Sequence, residues 1–252
     1  VLGQTENTQP ALLTASVALW DLWPGAHEKV AMMAGHSLGE YSALVCAGAM
    51  SFADGVALVR KRGELMQAAV PNGQGTMAAV LGLDDEAISQ CCDQVAGEVS
   101  AANYNAPGQV VIAGETDAVH AAIDACKAAG AKRAVPLDVS GPFHSRLMER
   151  AANDFSEALS AIELTLPEIP VYQNVHGQVA DSVDEMRRLL VEQLYSPVRW
   201  TTCVSALLGA GVAQFVECGP GNVLAGLVKR ISRGTPTVGL STADGIEAAQ
   251  AL

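Results

Sequence analysis

Apolar residues recur at spacings of three and four across residues 9–23 (QPALLTASVALWDLW), the period of an amphipathic helix. The run Val30-Ala-Met-Met-Ala34 is continuous and short, stops at Gly35 and reads as a buried strand. From Ser37 the spacing is helical again as far as Gly48, which places Ser37 on a strand-to-helix turn. A further helix is predicted from Ser51, which with Asp54 resembles a capping box, toward Ala69.

The pattern then changes. Pro71-Asn-Gly-Gln-Gly75 is a cluster of turn formers. After it, strand 76–82, helix 84–96, strands 99–104 and 109–114, helix 116–129 and strand 132–139 spell β-α-β-β-α-β, the ferredoxin-like order. This predicts a small ferredoxin-like subdomain over 73–139, inserted between residues 1–72 and 140–252 of a larger α/β subdomain. In the resumed part, helices 147–161, 184–194, 201–210 and 223–232 accompany strands 169–175 and 213–218, which predicts a mostly parallel, helix-covered sheet.

Composition narrows the class. Of 252 residues half are hydrophobic and 17% charged, enough apolar material for a full core. The apolar stretches 44–50 and 203–216 are short or interrupted, against the run of roughly twenty that a bilayer requires, so no membrane association is expected. With 27 acidic against 15 basic residues and a net charge of −12, nucleic acid is disfavoured as a partner. Six cysteines without a C-x-x-C pair sit mostly among apolar neighbours, as reduced thiols do, which points to the cytoplasm. Val1-Leu2-Gly3-Gln4 shows neither an initiator Met nor an export signal, as in a fragment. No metal site is suggested, and a monomer is expected.

Chemistry concentrates at Gly35-His36-Ser37-Leu38-Gly39, a G-x-S-x-G between an apolar strand and a helix, the setting of a nucleophile elbow in α/β-hydrolase-like domains. On pattern alone, a strand–helix turn with a capping serine reads equally well. A serine needs a base. His36 is turned to the opposite side of such an elbow, His120 falls in a helix of the small subdomain, and His27 and His176 read as loop residues. His144, in Gly141-Pro-Phe-His-Ser145, lies in a turn at the C-terminal end of the strand that re-enters the large subdomain, where sites collect in parallel sheets.

The segments GHSLGEYSALVCAG (35–48), Arg62, NAPGQVVIAG (105–114), GPFHS (141–145), QNV (173–175), QLYSPVRW (193–200) and ECGPG (217–221) resemble, in order along the whole chain, the malonyl-CoA:acyl carrier protein transacylases of bacterial fatty-acid synthesis. The resemblance implies Ser37 as nucleophile, His144 as base, and Leu38 N–H as an oxyanion donor. It implies Arg62, Asn174 and Gln193 around the substrate, with a backbone carbonyl near Gln193 orienting the histidine. It also implies malonyl-CoA as substrate, acyl carrier protein as partner and no permanently bound cofactor. Leu38 and Phe143 follow the family's malonyl-selective pattern. Arg62 has its own physical argument: a guanidinium grips a carboxylate bidentately and is always charged.

One departure stands out. Family members begin with a strand leading into a Gly-Gln-Gly-Ser-Gln loop that supplies a second oxyanion donor, and Leu2 to Leu12 align instead with a later helical segment of the family. This leaves two rival readings. One is a serine hydrolase of the esterase or thioesterase kind, although no Asp or Glu stands where it would orient the base. The other is a catalytically silent, carrier-binding fragment. Lys127, Lys132, Arg133, Arg187, Arg188, Lys229, Arg230 and Arg233 are candidates for a basic patch toward an acidic carrier and CoA phosphates.

Overall fold

The computed structural model describes residues 2–252. The chain begins with helix α1 (Thr5–Asp21), which starts before the apolar periodicity does. The polar first turn is helical because it packs on α4 (Phe52–Ala68): Gly63 lets the backbones approach so closely that an added Cβ would lie 2.6 Å from Glu6 Cα. Between them come the short α2 (Ala26–Lys29), strand β1 (Met33–Ala34) and α3 (Leu38–Cys46). Ser51 caps α4, its Oγ accepting the Asp54 N–H.

Strand β2 (Gly75–Leu81), helix α5 (Asp85–Asp93), strands β3 (Val99–Ala106) and β4 (Gln109–Glu115), helix α6 (Thr116–Ala128) and strand β5 (Arg133–Pro136) follow. The four strands form an antiparallel sheet in the order β3-β4-β2-β5. Val80, Val110 and Ile112 alternate on one face and bury Ile88, Val119, Ile123, Cys91 and Cys126 beneath α5 and α6. Segment 198–200 attaches to the free edge of β3: Tyr104 N–H donates to Val198 O at 2.9 Å and Val198 N–H to Ala102 O at 2.8 Å.

The remainder comprises a 3₁₀ turn (Arg146–Ala151), α7 (Ala152–Ser160), β6 (Val171–Tyr172), α8 (Val183–Glu192), α9 (Trp200–Gly209), β7 (Phe215–Glu217), α10 (Val223–Ile231), β8 (Thr237–Gly239) and α11 (Ala243–Gln250). A core of Leu13, Tyr41, Leu44, Leu58, Val59, Met148, Phe155 and Leu190 joins α1, α3, α4, α7 and α8. The fold is thus mixed α/β, with parallel and antiparallel sheets.

The parallel part differs from expectation. Instead of one continuous sheet there are two pairs, β1–β6 and β7–β8, and a cavity of about 500 Å³ lined by residues 30–35 and 213–218 lies between them. The strand predicted over 169–175 is cut to two residues because later backbone donors leave the ladder: Gln173 N–H goes to Gln178 O, and Asn174 N–H to the Glu40 carboxylate. The helix predicted over 147–161 opens as a 3₁₀ turn. Strand β8 and helix α11 were not signalled by the pattern, being three and eight residues long with mixed polarity. Among the described residues no helix is long and apolar enough to cross a membrane.

Candidate active site

Strand β1 ends at Ala34, and within three residues the chain reverses into α3. Ser37 carries φ 52° and ψ −106° there. Among the described residues only Ser37 and His144 (φ 60°) are non-glycine residues with positive φ, so backbone strain is confined to this pair. The turn needs Gly35, because a Cβ at that position would lie 1.9 Å from the Gly39 carbonyl carbon. Gly35→Ala is therefore expected to open the elbow. It should lower the unfolding free energy by about 2–4 kcal/mol, read from urea denaturation, through overpacking against backbone that cannot yield. Asn174 clamps the turn from the next strand end. Its Oδ1 accepts the Ser37 N–H and its Nδ2 donates to Gly35 O, both at 2.7 Å.

His144 arrives from the loop after β5, where Ser145 Oγ donates to Pro142 O at 2.7 Å and tightens the GPFHS turn. Its Nε2 lies 2.7 Å from Ser37 Oγ and its Nδ1 2.7 Å from Gln193 O. A carbonyl only accepts, so Nδ1 carries the hydrogen and Nε2 is left as the acceptor for the serine hydroxyl. Burial, and then the neighbouring Arg62 charge, push the imidazole down to about 3, so it is neutral at physiological pH. The pair is a serine hydroxyl hydrogen-bonded to an unprotonated base, with a carbonyl rather than a carboxylate behind it.

Arg62 points inward from α4 and is 1% exposed. Nη1 donates to Gln9 Oε1 at 2.8 Å, while Nη2 donates to Gln193 Oε1 at 2.9 Å and to Ser37 Oγ at 3.2 Å. The guanidinium also lies 5.1 Å from the centre of the Tyr41 ring. Nε has no partner, and among the described residues Arg62 forms no salt bridge. It is a buried cation without a direct counter-charge that reaches the Ser37 hydroxyl oxygen, and a guanidinium in that state can accommodate an added carboxylate.

Gln193, at the end of α8, joins these parts. Beyond its two carbonyls, its Nε2 donates to Ser37 O at 3.0 Å and to Glu40 Oε2 at 2.9 Å. Leu38 N–H is the first amide of α3 and lies one residue past Ser37, where the positive helix end favours negative charge. Phe143 packs between the two core regions beside His144.

Sequence reasoning overlooked Gln9 and Glu40. Gln9 lies on the buried face of α1 with Leu13, Ser16 and Trp20, a polar residue in an inward stripe. Glu40 is a carboxylate in the otherwise apolar α3 and has no exposure. Burial pushes it up to about 7, against hydrogen bonds from Asn174 and Gln193 and the Arg62 charge. Among the described residues no other histidine is hydrogen-bonded to the Ser37 hydroxyl. His36 turns from the elbow to Asn105 Oδ1 at 2.7 Å, and burial lowers its pKa. His120 is exposed on α6, His176 binds the Gln178 N–H, and His27, expected in a loop, belongs to α2. Of the basic-patch candidates, Lys127 pairs with Asp124, Arg188 pairs with Glu185 and Glu192, and Arg187 caps the carbonyls of Leu159 and Ile162.

The profile of the acyl transferase domain matches residues 1–245. The malonyl CoA-acyl carrier protein transacylase of Escherichia coli (strain K12) is 54% identical over 233 residues, covering 91% of this chain and 75% of that protein. The protein of the same name from Bacillus subtilis (strain 168) is 49% identical over 251 residues, 98% of this chain and 79% of its own length. Among solved structures, a malonyl-transacylase in complex with its type II PKS acyl-carrier protein superimposes with a TM-score of 0.96 at 49% identity, over 99% of this chain and 82% of that one. An acyl carrier protein S-malonyltransferase from Vibrio cholerae gives 0.94 at 50% identity, over 98% and 82%.

Proposed function

Because the chain belongs to the acyl transferase domain family, among the malonyl CoA-acyl carrier protein transacylases, we propose that it moves a malonyl group from coenzyme A to the phosphopantetheine thiol of acyl carrier protein in fatty-acid synthesis. The observation that carries this reading is the buried Arg62 guanidinium, which among the described residues forms no ion pair with a carboxylate and lies 3.2 Å from the Ser37 oxygen held by His144.

The chemistry runs in two halves. Ser37 Oγ attacks the malonyl thioester while His144 Nε2 takes its proton, and the tetrahedral oxyanion forms against Leu38 N–H. Arg62 holds the distal carboxylate. The C–S bond then breaks, the imidazolium returns its proton to the departing CoA thiolate, and a malonyl ester remains on Ser37. The carrier thiol enters next and gives its proton to His144. Its sulfur attacks the ester, and Ser37 leaves with that proton. Kinetics are ping-pong. The site needs no resident cofactor, since malonyl-CoA is a substrate, and the Gln193 carbonyl supplies what an acid supplies in many serine hydrolases.

In the same reading, residues 73–139 form a ferredoxin-like subdomain inserted into an α/β-hydrolase-like body of 1–72 and 140–252. The sheet order β3-β4-β2-β5 supports this. The protein acts as a cytoplasmic monomer. The test is mass spectrometry of the chain after brief exposure to malonyl-CoA, followed by addition of holo acyl carrier protein. The expected result is one malonyl adduct on the peptide holding Ser37, discharged to the carrier faster than to water. A folded chain that takes up no malonyl, or loses it to water first, overturns the reading.

A further inference from the structure

Glu40 takes no part in the steps above, yet it is fully buried one turn beyond Ser37. Its Oε2 accepts two hydrogen bonds, from Asn174 N–H at 2.8 Å and from Gln193 Nε2 at 2.9 Å, while Oε1 has no partner. Both donors belong to residues that touch the reacting groups. Asn174 holds the Ser37 N–H, and Gln193 holds His144 through its backbone carbonyl and Arg62 through its side-chain carbonyl.

The two ends of a glutamine amide have nearly the same shape and opposite hydrogen-bonding character. Arg62 only donates and an ionised Glu40 only accepts, and Gln193 lies between them. Only one amide orientation satisfies both: oxygen to the guanidinium, nitrogen to the carboxylate. With Glu40 removed, Asn174 N–H loses its acceptor in the interior, and the amide nitrogen loses its shortest and only carboxylate acceptor, keeping Ser37 O at 3.0 Å and Asn174 Oδ1 at 3.4 Å, which weakens the preference against inversion. An inverted amide would turn its NH₂ on Arg62 and push the guanidinium off its 3.2 Å contact with Ser37 Oγ. A carboxylate in an apolar core is a costly filler, so packing alone does not account for it.

We propose that Glu40 is a positioning and specificity-determining residue, which locks the Gln193 amide and the Asn174 backbone so that Arg62 and His144 keep their places around Ser37. This rests on the acyl-transfer reading for its substrate, though not for its effect on the nucleophile.

The experiment compares the parent chain with Glu40→Ala and Glu40→Gln in two assays: single-turnover acylation by malonyl-CoA and by acetyl-CoA, and labelling of Ser37 by a fluorophosphonate. Rates are taken per folded molecule, checked by thermal melting. For Glu40→Ala, the malonyl rate is expected to fall about 100-fold, as for a reacting group displaced by about 1 Å. The malonyl-to-acetyl ratio should fall at least about tenfold, in line with a misaligned carboxylate site, and fluorophosphonate labelling should slow. Glu40→Gln keeps a side-chain carbonyl at the same reach, so it should restore the malonyl rate to within about tenfold of the parent. If Glu40→Ala does not fold, Glu40→Asp replaces it: the carboxyl group stays, the reach shortens, and rate and ratio should both drop.

A folded Ala or Asp variant with the parent's rates and ratio overturns the proposal. So does a Gln variant no better than the Ala variant. A parent chain that labels readily with fluorophosphonate but takes no malonyl counts against the substrate reading alone, and the labelling rates of the variants then decide the role of Glu40.

Discussion

Ser37→Ala is expected to abolish the covalent malonyl adduct and to lower transfer to carrier protein by at least about 10⁴-fold, the scale on which serine–histidine catalysis fails without its nucleophile. The fold should survive. The clamp on the elbow grips the Ser37 backbone through Asn174 Oδ1 and Gln193 Nε2, not the hydroxyl, and His144 keeps its bond to Gln193 O. Stability is therefore expected to stay within about 1 kcal/mol of the parent. Intact-mass spectrometry after malonyl-CoA, with a denaturant titration on the same sample, checks both halves. An adduct of undiminished amount on the Ala variant would place the nucleophile elsewhere and end the mechanism proposed above.

The second large effect belongs to Arg62→Ala. Malonyl transfer should lose about 10²–10³-fold in kcat/KM, as expected when a buried, charge-assisted contact to a carboxylate is withdrawn. Acetyl transfer should hold or rise, because acetyl leaves the parent's guanidinium unpaired. The substitution also frees Gln9 Oε1 and Gln193 Oε1 and uncovers the Tyr41 ring, so some stability is lost as well. The ratio of the two substrates within one preparation separates recognition from folding. A ratio equal to the parent's would remove Arg62 from substrate recognition and leave it a structural cation.

Both predictions depend on contacts that no local pattern encodes. His144 meets Ser37 across 107 positions, and Arg62 meets Gln193 across 131. The resemblance of motifs directed attention to these residues, but periodicity did not. Gln9 and Glu40 escaped notice because each looks ordinary in its own helix. Only the packing of α1, α3 and α4 turns both toward Arg62 and Gln193. The same holds for β1 and β6, whose length depends on which acceptor the Asn174 N–H finds.

What the amino-acid order determined by itself was short-range: the G-x-S-x-G turn, the helix start at Ser51, and the alternation of periods across 76–139. Each reflects sterics, capping or one-sided burial between residues a few positions apart. In the elbow, for example, Gly35 must pass Gly39 without a Cβ. The tertiary structure decided which buried polar groups share a partner. A buried donor or acceptor must find its complement wherever the packed chain brings one. The network of Ser37, Glu40, Arg62, His144, Asn174 and Gln193 therefore exists only once distant elements have closed on one another.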